Sequence, residues 1–570
     1  MQHPLLSDRR ALLTLLIVIG VIWFALLGYR DLLQPDEGRY AEIPREMVAT
    51  GDWLTPRLDG YKYFEKPAAQ YWLTAAGYKL FGEGNASARL WPALLGFLSL
   101  VFVVWLGARL FDARAGLYAG LILTGTFLWV VLGHTLTLDM GVSAFLTFGI
   151  GALLLAQERR DDPKTVRNWM LLGWSMLSVA MLWKGLIALV LPGGAVFFYS
   201  LWMRDFRWWR HLHLGKGLAL FALISAPWFI LVDRANPGFA KFFFLHEHLQ
   251  RFAENTYHYG EPWWYYLPLL FVAALPWLAT TAGALFKPGF AWRPRGGQSP
   301  GERAFEPVRF LWVYAVFTVV FFSLSHSKLL TYLLPIFPAL ALIAGERLAR
   351  RASFRLDTAV VAGFGLLMLG IAFNLDRFVK PDMPLAVVMR AQPWALASGA
   401  AFLLGAVAAV GFRRRGPLAA ASIALGALLG FQCLVWGYQP LASIYSARVV
   451  ADAIEPVLAR ADRAGSDRPS SVQAGAEVPI YNIGRYDQSL PFYLNRTVRL
   501  GLYEGELGYG IKQEPDNYIA TLAQFAAKWR QEQQQAVAVI APHLYAKLKE
   551  QGIPMHVIYK DARRVVVTRR

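Results

Sequence analysis

The chain has 570 residues, of which 56% are hydrophobic, 14% aromatic and only 17% charged, and its mean hydropathy is +0.36. That balance excludes an ordinary soluble domain. The net charge of +18 does not indicate a nucleic-acid partner, because many cations lie in short clusters between apolar runs. The only cysteine, Cys433, sits inside such a run, which excludes a disulfide framework.

Apolar runs of roughly 17–22 residues, each long enough to cross a bilayer core of about 30 Å, recur from residue 11 to residue 437. In chain order they fall at 11–28, 88–108, 115–132, 140–156, 169–184, 186–202, 217–233, 263–286, 308–324, 329–346, 357–375, 392–411 and 417–437, about thirteen spans. The first is read as an uncleaved span, since no small-x-small cleavage site precedes the loop after it. With the N-terminus inside, every inside connection carries a basic cluster, such as Arg109 and Arg114, or Arg159, Arg160, Lys164 and Arg167. The outside connections are then 29–87, Gly133–Asp139, 234–262, Ser325–Lys328 and 376–391. The segment Lys66 to Phe81 is fairly apolar and is read as an interfacial helix. Tyr71, Trp72 and Tyr78 are expected at headgroup level and Lys79 snorkelling.

The predicted organisation is a polytopic α-helical membrane domain, residues 1–437, with outside loops 29–87 and 234–262. A soluble α/β domain, 438–570, follows on the same side. In that tail AVAVIAP is an apolar run, PHLYAKLKEQG reads as a helix ending at Gly552, and MHVIYK and RRVVVTRR flank a turn at Asp561–Ala562. The tail has no phosphate loop, no Cys/His metal pattern and no nucleophile motif, so its expected role is structural or that of a lid.

The loop from Gln34 to Trp72 is the densest chemistry in the chain. It holds Asp36, Glu37, Glu42, Glu46, Asp52, Asp59 and Glu65 beside Arg39, Arg45, Arg57, Lys62 and Lys66. Asp139 stands at the start of the fourth span, Lys184 at the outside end of the fifth, and Lys328 between the ninth and tenth. His246, Glu247, His248 and Arg251 lie in FFFLHEHLQRF. A carboxylate at a span end is costly unless paired or functional; a helix cap is the plain alternative for Asp139, and snorkelling the one for Lys184. All these charges emerge on the side of the 29–87 loop. Carboxylates beside cations at a lipid–water boundary suit a phosphate-bearing lipid substrate. A transporter or flippase, the alternative of another class, would concentrate polar groups at mid-membrane in repeated halves, and no such repeat is evident.

PDEGRYAEIPREMVATGDWLTPRLDGYKYFEKPAAQYW resembles the first extracytoplasmic loop of the bacterial 4-amino-4-deoxy-L-arabinose transferases that modify lipid A. These are polyprenyl-phosphate-dependent glycosyltransferases of the GT-C fold, related to protein O-mannosyltransferases. FFFLHEHLQRFAE and SKLLTYLLP resemble two further family segments, and YFEKP and HLQRF are the specific ones. The resemblance implies a pentosyltransferase of the bacterial inner membrane, with its site facing the periplasm. Its donor is an aminosugar on undecaprenyl phosphate, its acceptor is lipid A, and the outcome is resistance to polymyxin and cationic peptides. A monomer among membrane lipids, with no nucleotide, is expected. Asp36 and Asp139 match the family's acidic positions. Lys66 and Arg251 match the positions that hold the carrier phosphate; Lys184, Lys328, Tyr63 and Tyr332 are counted with that group. Glu65, His246 and His248 form a candidate divalent-ion set, since imidazole and carboxylate suit zinc; hydrogen-bonded interfacial histidines are the other reading. A lipid A phosphate oxygen is already anionic near pH 7, so Asp36 would orient the sugar; a Ser or Thr acceptor would instead need Asp36 as base. A transferase of the same fold with another sugar or a protein acceptor is the nearest alternative.

Overall fold

The computed structural model describes residues 9–250, 261–289, 305–466, 478–532 and 535–569. Helices carry most of the chain up to Gly437. Among the described residues, eight helices are long and apolar enough to cross a membrane. A ninth is added if the pair Ala113–Thr124 and Phe127–Gly133, bent by 64°, is one span. The expected thirteen spans are therefore not supported by length and composition alone, although each apolar run is helical. The runs at 11–28 and 186–202 give helices of only 16 and 17 residues, Arg9–Phe24 and Ile187–Met203. The run at 263–286 is split into Tyr266–Ala273 and Leu278–Phe286. The run at 115–132 breaks at Gly125, where a Cβ would meet Trp277 Nε1 at 3.0 Å and Ala424 Cα at 3.2 Å. Small residues let the helices approach elsewhere: a Cβ on Gly426 would lie 2.7 Å from Gly405 Cα.

The 29–87 loop is a folded unit. The helix Asp36–Thr50 ends on Gly51, whose φ of 74° supplies the left-handed cap. A hairpin follows, β1 (Arg57–Leu58) against β2 (Tyr61–Lys62), turned by Asp59 and Gly60 at φ 56° and 80°. The helix Ala69–Phe81 has 13 residues, about 20 Å at 1.5 Å per residue, too short to cross a bilayer. Its tyrosines are not at headgroup level as expected. Tyr71 and Tyr78 are buried inside the protein, and the Tyr78 hydroxyl donates to Ala41 O at 3.2 Å. Lys79 is exposed and lies over the Trp53 ring, 5.1 Å from its centroid.

After the last long helix, Gly416–Gly437, come the helix Arg448–Ser466 and a five-stranded sheet. Its strands are β3 (Ile480–Ile483), β4 (Arg499–Gly501), β5 (Val537–Ile540), β6 (His556–Lys560) and β7 (Val565–Thr568), in the order β4-β3-β5-β7-β6. β3 runs parallel to β4 and β5, and β7 antiparallel to β5 and β6. The AVAVIAP run forms the central strand β5, buried at all four positions. Its residues alternate: Val537 and Val539 join the core shared with the membrane helices, while Ala538 and Ile540 pack with Phe525, Trp529 and Leu548 of the sheet's own helices. The sheet unit is thus seated on the membrane domain through one face.

Candidate active site

The Asp36–Thr50 helix begins on an electrostatic hub. The Glu37 carboxylate is 1% exposed and accepts from Arg30 Nη1 and Nη2 at 2.6 and 3.0 Å and from Arg89 Nε and Nη2 at 2.7 and 3.0 Å. It also accepts from the Leu33 and Leu136 N–H groups at 3.1 and 3.0 Å. Burial alone would raise this carboxyl; Arg30 and Arg89 outweigh it and hold Glu37 well below the usual carboxylate range. Glu37 follows Asp36 directly, and Leu136 lies three residues before Asp139. One buried side chain therefore ties together the segments that carry both acidic candidates.

Asp36 is paired with Arg39, one turn along the same helix. Arg39 Nη1 lies 4.0 Å from Glu65 Oε2, and the Tyr63 hydroxyl donates to that oxygen at 3.0 Å. Asp139, in the first turn of the helix Leu138–Glu158, is paired with Lys184, the last residue of Pro163–Lys184. The Lys184 ammonium also lies over the Tyr332 ring, 5.2 Å from its centroid. Burial raises the hydroxyl of the nearby Tyr40, Arg39 opposes this, and Asp36, Glu65 and Asp139 add to it. Glu65, reached from Asp36 through Arg39, and Lys184, the partner of Asp139, line the same cavity, which joins the two pairs at one locus.

Beside this locus opens a cavity of about 350 Å³. Lys66, Lys184, Glu65, Glu247, His248 and Tyr332 line it together with Leu186, Ile187, Val190, Leu249, Phe321 and Phe322. Lys66 Nζ donates to Glu65 O at 2.8 Å and lies 3.6 Å from Glu247 Oε2. The lining is amphipathic, with two ammonium groups among apolar side chains.

Lys328 and His246 fall elsewhere. Lys328 is 6% exposed and donates to the carbonyls of Ser325 and Glu261, at 2.6 and 3.1 Å, so its charge is met by backbone and not by the cavity. His246 is half-buried, stacked on Phe242, with Nδ1 3.0 Å from Gln250 Oε1. His248 Nδ1 donates to Phe243 O at 2.7 Å, which leaves Nε2 to accept from the Leu186 N–H at 3.4 Å. The expected ion set of Glu65, His246 and His248 does not assemble. Among the described residues no three His, Cys, Asp or Glu side chains gather to hold a metal, and no step is derived through one. Arg251 lies outside the described residues. The sequence assigned no site role to Glu37 and Arg39, named only as members of the charged loop, or to Glu247, named only among the charges of FFFLHEHLQRF. The available signal was Arg89, a cation at the mouth of an otherwise apolar helix, which needs a buried partner.

Taken together, the fold and this site define a multi-pass membrane glycosyltransferase that works on a lipid-linked sugar. Residues 9–243 match the dolichyl-phosphate-mannose-protein mannosyltransferase family, and residues 470–569 match the aminoarabinose transferase C-terminal domain. The undecaprenyl phosphate-alpha-4-amino-4-deoxy-L-arabinose arabinosyl transferase of Erwinia tasmaniensis is 34% identical over 417 residues, 72% of this chain and 69% of that one. That of Pseudomonas aeruginosa is 37% identical over 376 residues, 64% of each chain; the alignments span about two thirds of these relatives. The crystal structure of ArnT from Cupriavidus metallidurans bound to undecaprenyl phosphate superposes with a TM-score of 0.86 at 33% identity, over 99% of this chain and 98% of that one. An Archaeoglobus fulgidus oligosaccharyltransferase, 13% identical with a TM-score of 0.52, shares the fold alone. The chain belongs to the undecaprenyl phosphate-alpha-4-amino-4-deoxy-L-arabinose arabinosyl transferase family.

Proposed function

We propose that this protein moves 4-amino-4-deoxy-L-arabinose from undecaprenyl phosphate to a phosphate of lipid A, at the periplasmic face of the bacterial inner membrane, as a monomer. The observation that carries this is the cavity lined by Lys66 and Lys184 together with apolar side chains, with Asp139 paired to Lys184 and Asp36 linked through Arg39 to Glu65 of the lining. A polyprenyl phosphate has that shape of chemistry, a dianionic head on a hydrocarbon tail, and undecaprenyl phosphate is the ligand bound in the related crystal structure.

In the step this arrangement supports, an acceptor phosphate oxygen attacks the anomeric carbon of the sugar. The bond from that carbon to the carrier phosphate oxygen breaks, and its electron pair stays on the leaving phosphate. Lys66 and Lys184 stabilise the charge that develops there. The attacking oxygen is already anionic near neutral pH, so no base is required. Asp36, oriented by Arg39, holds the sugar, with its 4-ammonium group as the natural partner of a carboxylate. Asp139 fixes Lys184. The decisive test is mass spectrometry of lipid A from cells with and without the protein. A mass increment of one aminopentose, present only with the protein, is expected. Identical lipid A in both would overturn the reading.

A further inference from the structure

The C-terminal sheet unit meets the start of the Asp36–Thr50 helix backbone to backbone. A Cβ on Gly38 would lie 2.5 Å from Ser489 N and 2.7 Å from the Gln488 carbonyl carbon, so only glycine admits that peptide. Gln34, two residues before Asp36, donates from Nε2 to Asp487 Oδ1 at 2.9 Å, and its N–H donates to Tyr445 O at 2.8 Å. The Leu32 N–H donates to the Tyr493 hydroxyl at 2.7 Å. Asp487 is fully buried and anchored from behind: Arg485 donates to both its oxygens, at 2.5 and 2.9 Å, and buried Arg564 lies 3.7 Å away. Ser489 Oγ accepts from the Ala447 N–H at 2.9 Å, closing the segment onto the end of the membrane domain.

Residues 32, 34 and 38 thus bracket Asp36 on both sides, and every one is fixed by the stretch from Tyr445 to Tyr493. The contact continues along the loop. A Cβ on Gly510 would lie 2.5 Å from Lys62 O, and Arg57 pairs with Glu514 at 3.1 Å. A unit docked by buried backbone at so many points cannot act as a lid that swings off the site.

We propose that the C-terminal unit is a fixed part of the active site, in which Asp487 and Gln34 are positioning residues that set where the Asp36 carboxylate points. This rests on the reading that Asp36 acts in sugar transfer. Asp36 itself is half exposed and has only Arg39 as its ion-pair partner among the described residues, so its aim depends on how the helix start is held. Misplacement of a positioned group by about 1 Å costs on the order of 10²-fold in rate.

The test uses the purified full-length protein, assayed for turnover from the undecaprenyl-phosphate-linked aminosugar to lipid A, and separately for undecaprenyl phosphate binding. Gln34→Ala leaves Asp487 paired with Arg485 and Arg564, so the fold persists. It is expected to lower kcat roughly ten-fold or more with unchanged carrier affinity. Gln34→Glu sets two carboxylates against each other and is expected to be worse. Wild-type turnover in both variants would overturn the proposal, as would equal losses of carrier binding and turnover. A wild-type protein inactive on lipid A would instead sink the functional reading, before any variant is compared.

Discussion

Lys66 and Lys184 share a cavity but should fail differently when removed. Lys66 pairs with Glu247 in the cavity lining at 3.6 Å, a separation that a phosphate can bridge or replace. Losing one charge-assisted contact to phosphate costs about 1.5–3 kcal/mol, roughly ten- to hundred-fold in affinity. Lys66→Ala is therefore expected to weaken undecaprenyl phosphate binding by that factor in a titration of the purified protein, with little change in thermal stability. Lys184 is bound to Asp139, and both side chains are 13% exposed. Removing the cation strands a nearly buried carboxylate, a penalty of roughly 3 kcal/mol. Lys184→Ala is expected to lose both turnover and melting temperature, and adding Asp139→Asn should restore the second but not the first. Asp36 separates the two roles open to it: Asp36→Ala is expected to abolish transfer, while Asp36→Asn keeps a measurable fraction because the amide still holds the sugar. Loss in Asp36→Asn as complete as in the alanine variant would make Asp36 a base. Residue by residue, the sequence singled out candidates and concealed their partners. Asp139 and Lys184 stood out because charge at a span end has few cheap explanations, and Asp36 and Lys66 through the resemblance of their loop. That Lys328 is satisfied by the carbonyls of Ser325 and Glu261, and that His248 faces the cavity while His246 does not, depends on the path of the backbone. Two residues apart on the π-helical segment Lys241–Gln250, the two histidines fall on different faces.

At the scale of elements, the hairpin β1–β2 and the second half of the Asp36–Thr50 helix enclose a carboxylate cluster. Glu42, Glu46 and Asp59 are all buried, and Arg45, paired with Glu42 at 2.6 Å, is the one cation the cluster binds among the described residues. Glu46 accepts from the Asp59 and Gly60 N–H groups, and Asp59 accepts from the Val498 N–H at 2.6 Å, which joins the cluster to the sheet unit. Burial raises Glu46 well above the ordinary carboxylate range, with Glu42 and Asp59 adding to it; burial likewise raises Asp59, with Glu42 adding. A carboxyl whose folded value is raised stabilises the fold fully below its unfolded value. That contribution is lost as pH climbs through the raised value. Glu37, whose folded value is depressed, works in the opposite sense and matters only as pH falls below the usual carboxylate range. The melting temperature of the purified protein is therefore expected to fall as pH rises from about 5 to 8, and Glu46→Gln should flatten that slope. A wild-type slope unchanged by Glu46→Gln would mean that the cluster is ionised throughout. The cluster was invisible in the sequence, where Glu42, Glu46 and Asp59 stood among the other charges of the 34–72 loop with nothing to show that they are buried together. The helices themselves were legible from their apolar runs. Their breaks were not, because Gly125 bends a helix through its contact with Trp277 and Ala424, residues distant in sequence.

At the scale of the molecule, charge distribution and packing point to the same sidedness. The basic clusters alternate with the 29–87, 234–262 and C-terminal segments along the sequence, an alternation for which the positive-inside tendency leads us to expect the latter outside. Independently, the 29–87 loop and the sheet unit are in direct contact through Gln34–Asp487, Gly38–Ser489 and Arg57–Glu514, so they occupy one side whatever the number of crossings. The helix Asn85–Leu110 starts at the end of that loop and has 26 residues, about 39 Å at 1.5 Å per residue, enough to carry Arg109 through the bilayer to the far face. The span count, which the apolar runs alone overstate as a set of full-length helices, thus matters less than the contact. The native chain offers a clean background for labelling, since its one cysteine, Cys433, is buried. Ala49→Cys and Glu550→Cys lie at exposed positions of the loop helix and the sheet unit, and Arg159→Cys at an exposed position of a basic connection. A membrane-impermeant maleimide is expected to label the first two in intact spheroplasts and the third only after the membrane is opened. Labelling of Arg159→Cys in intact spheroplasts, or protection of both others, would invert the protein in the membrane and move the sugar-transfer site to the cytoplasmic face.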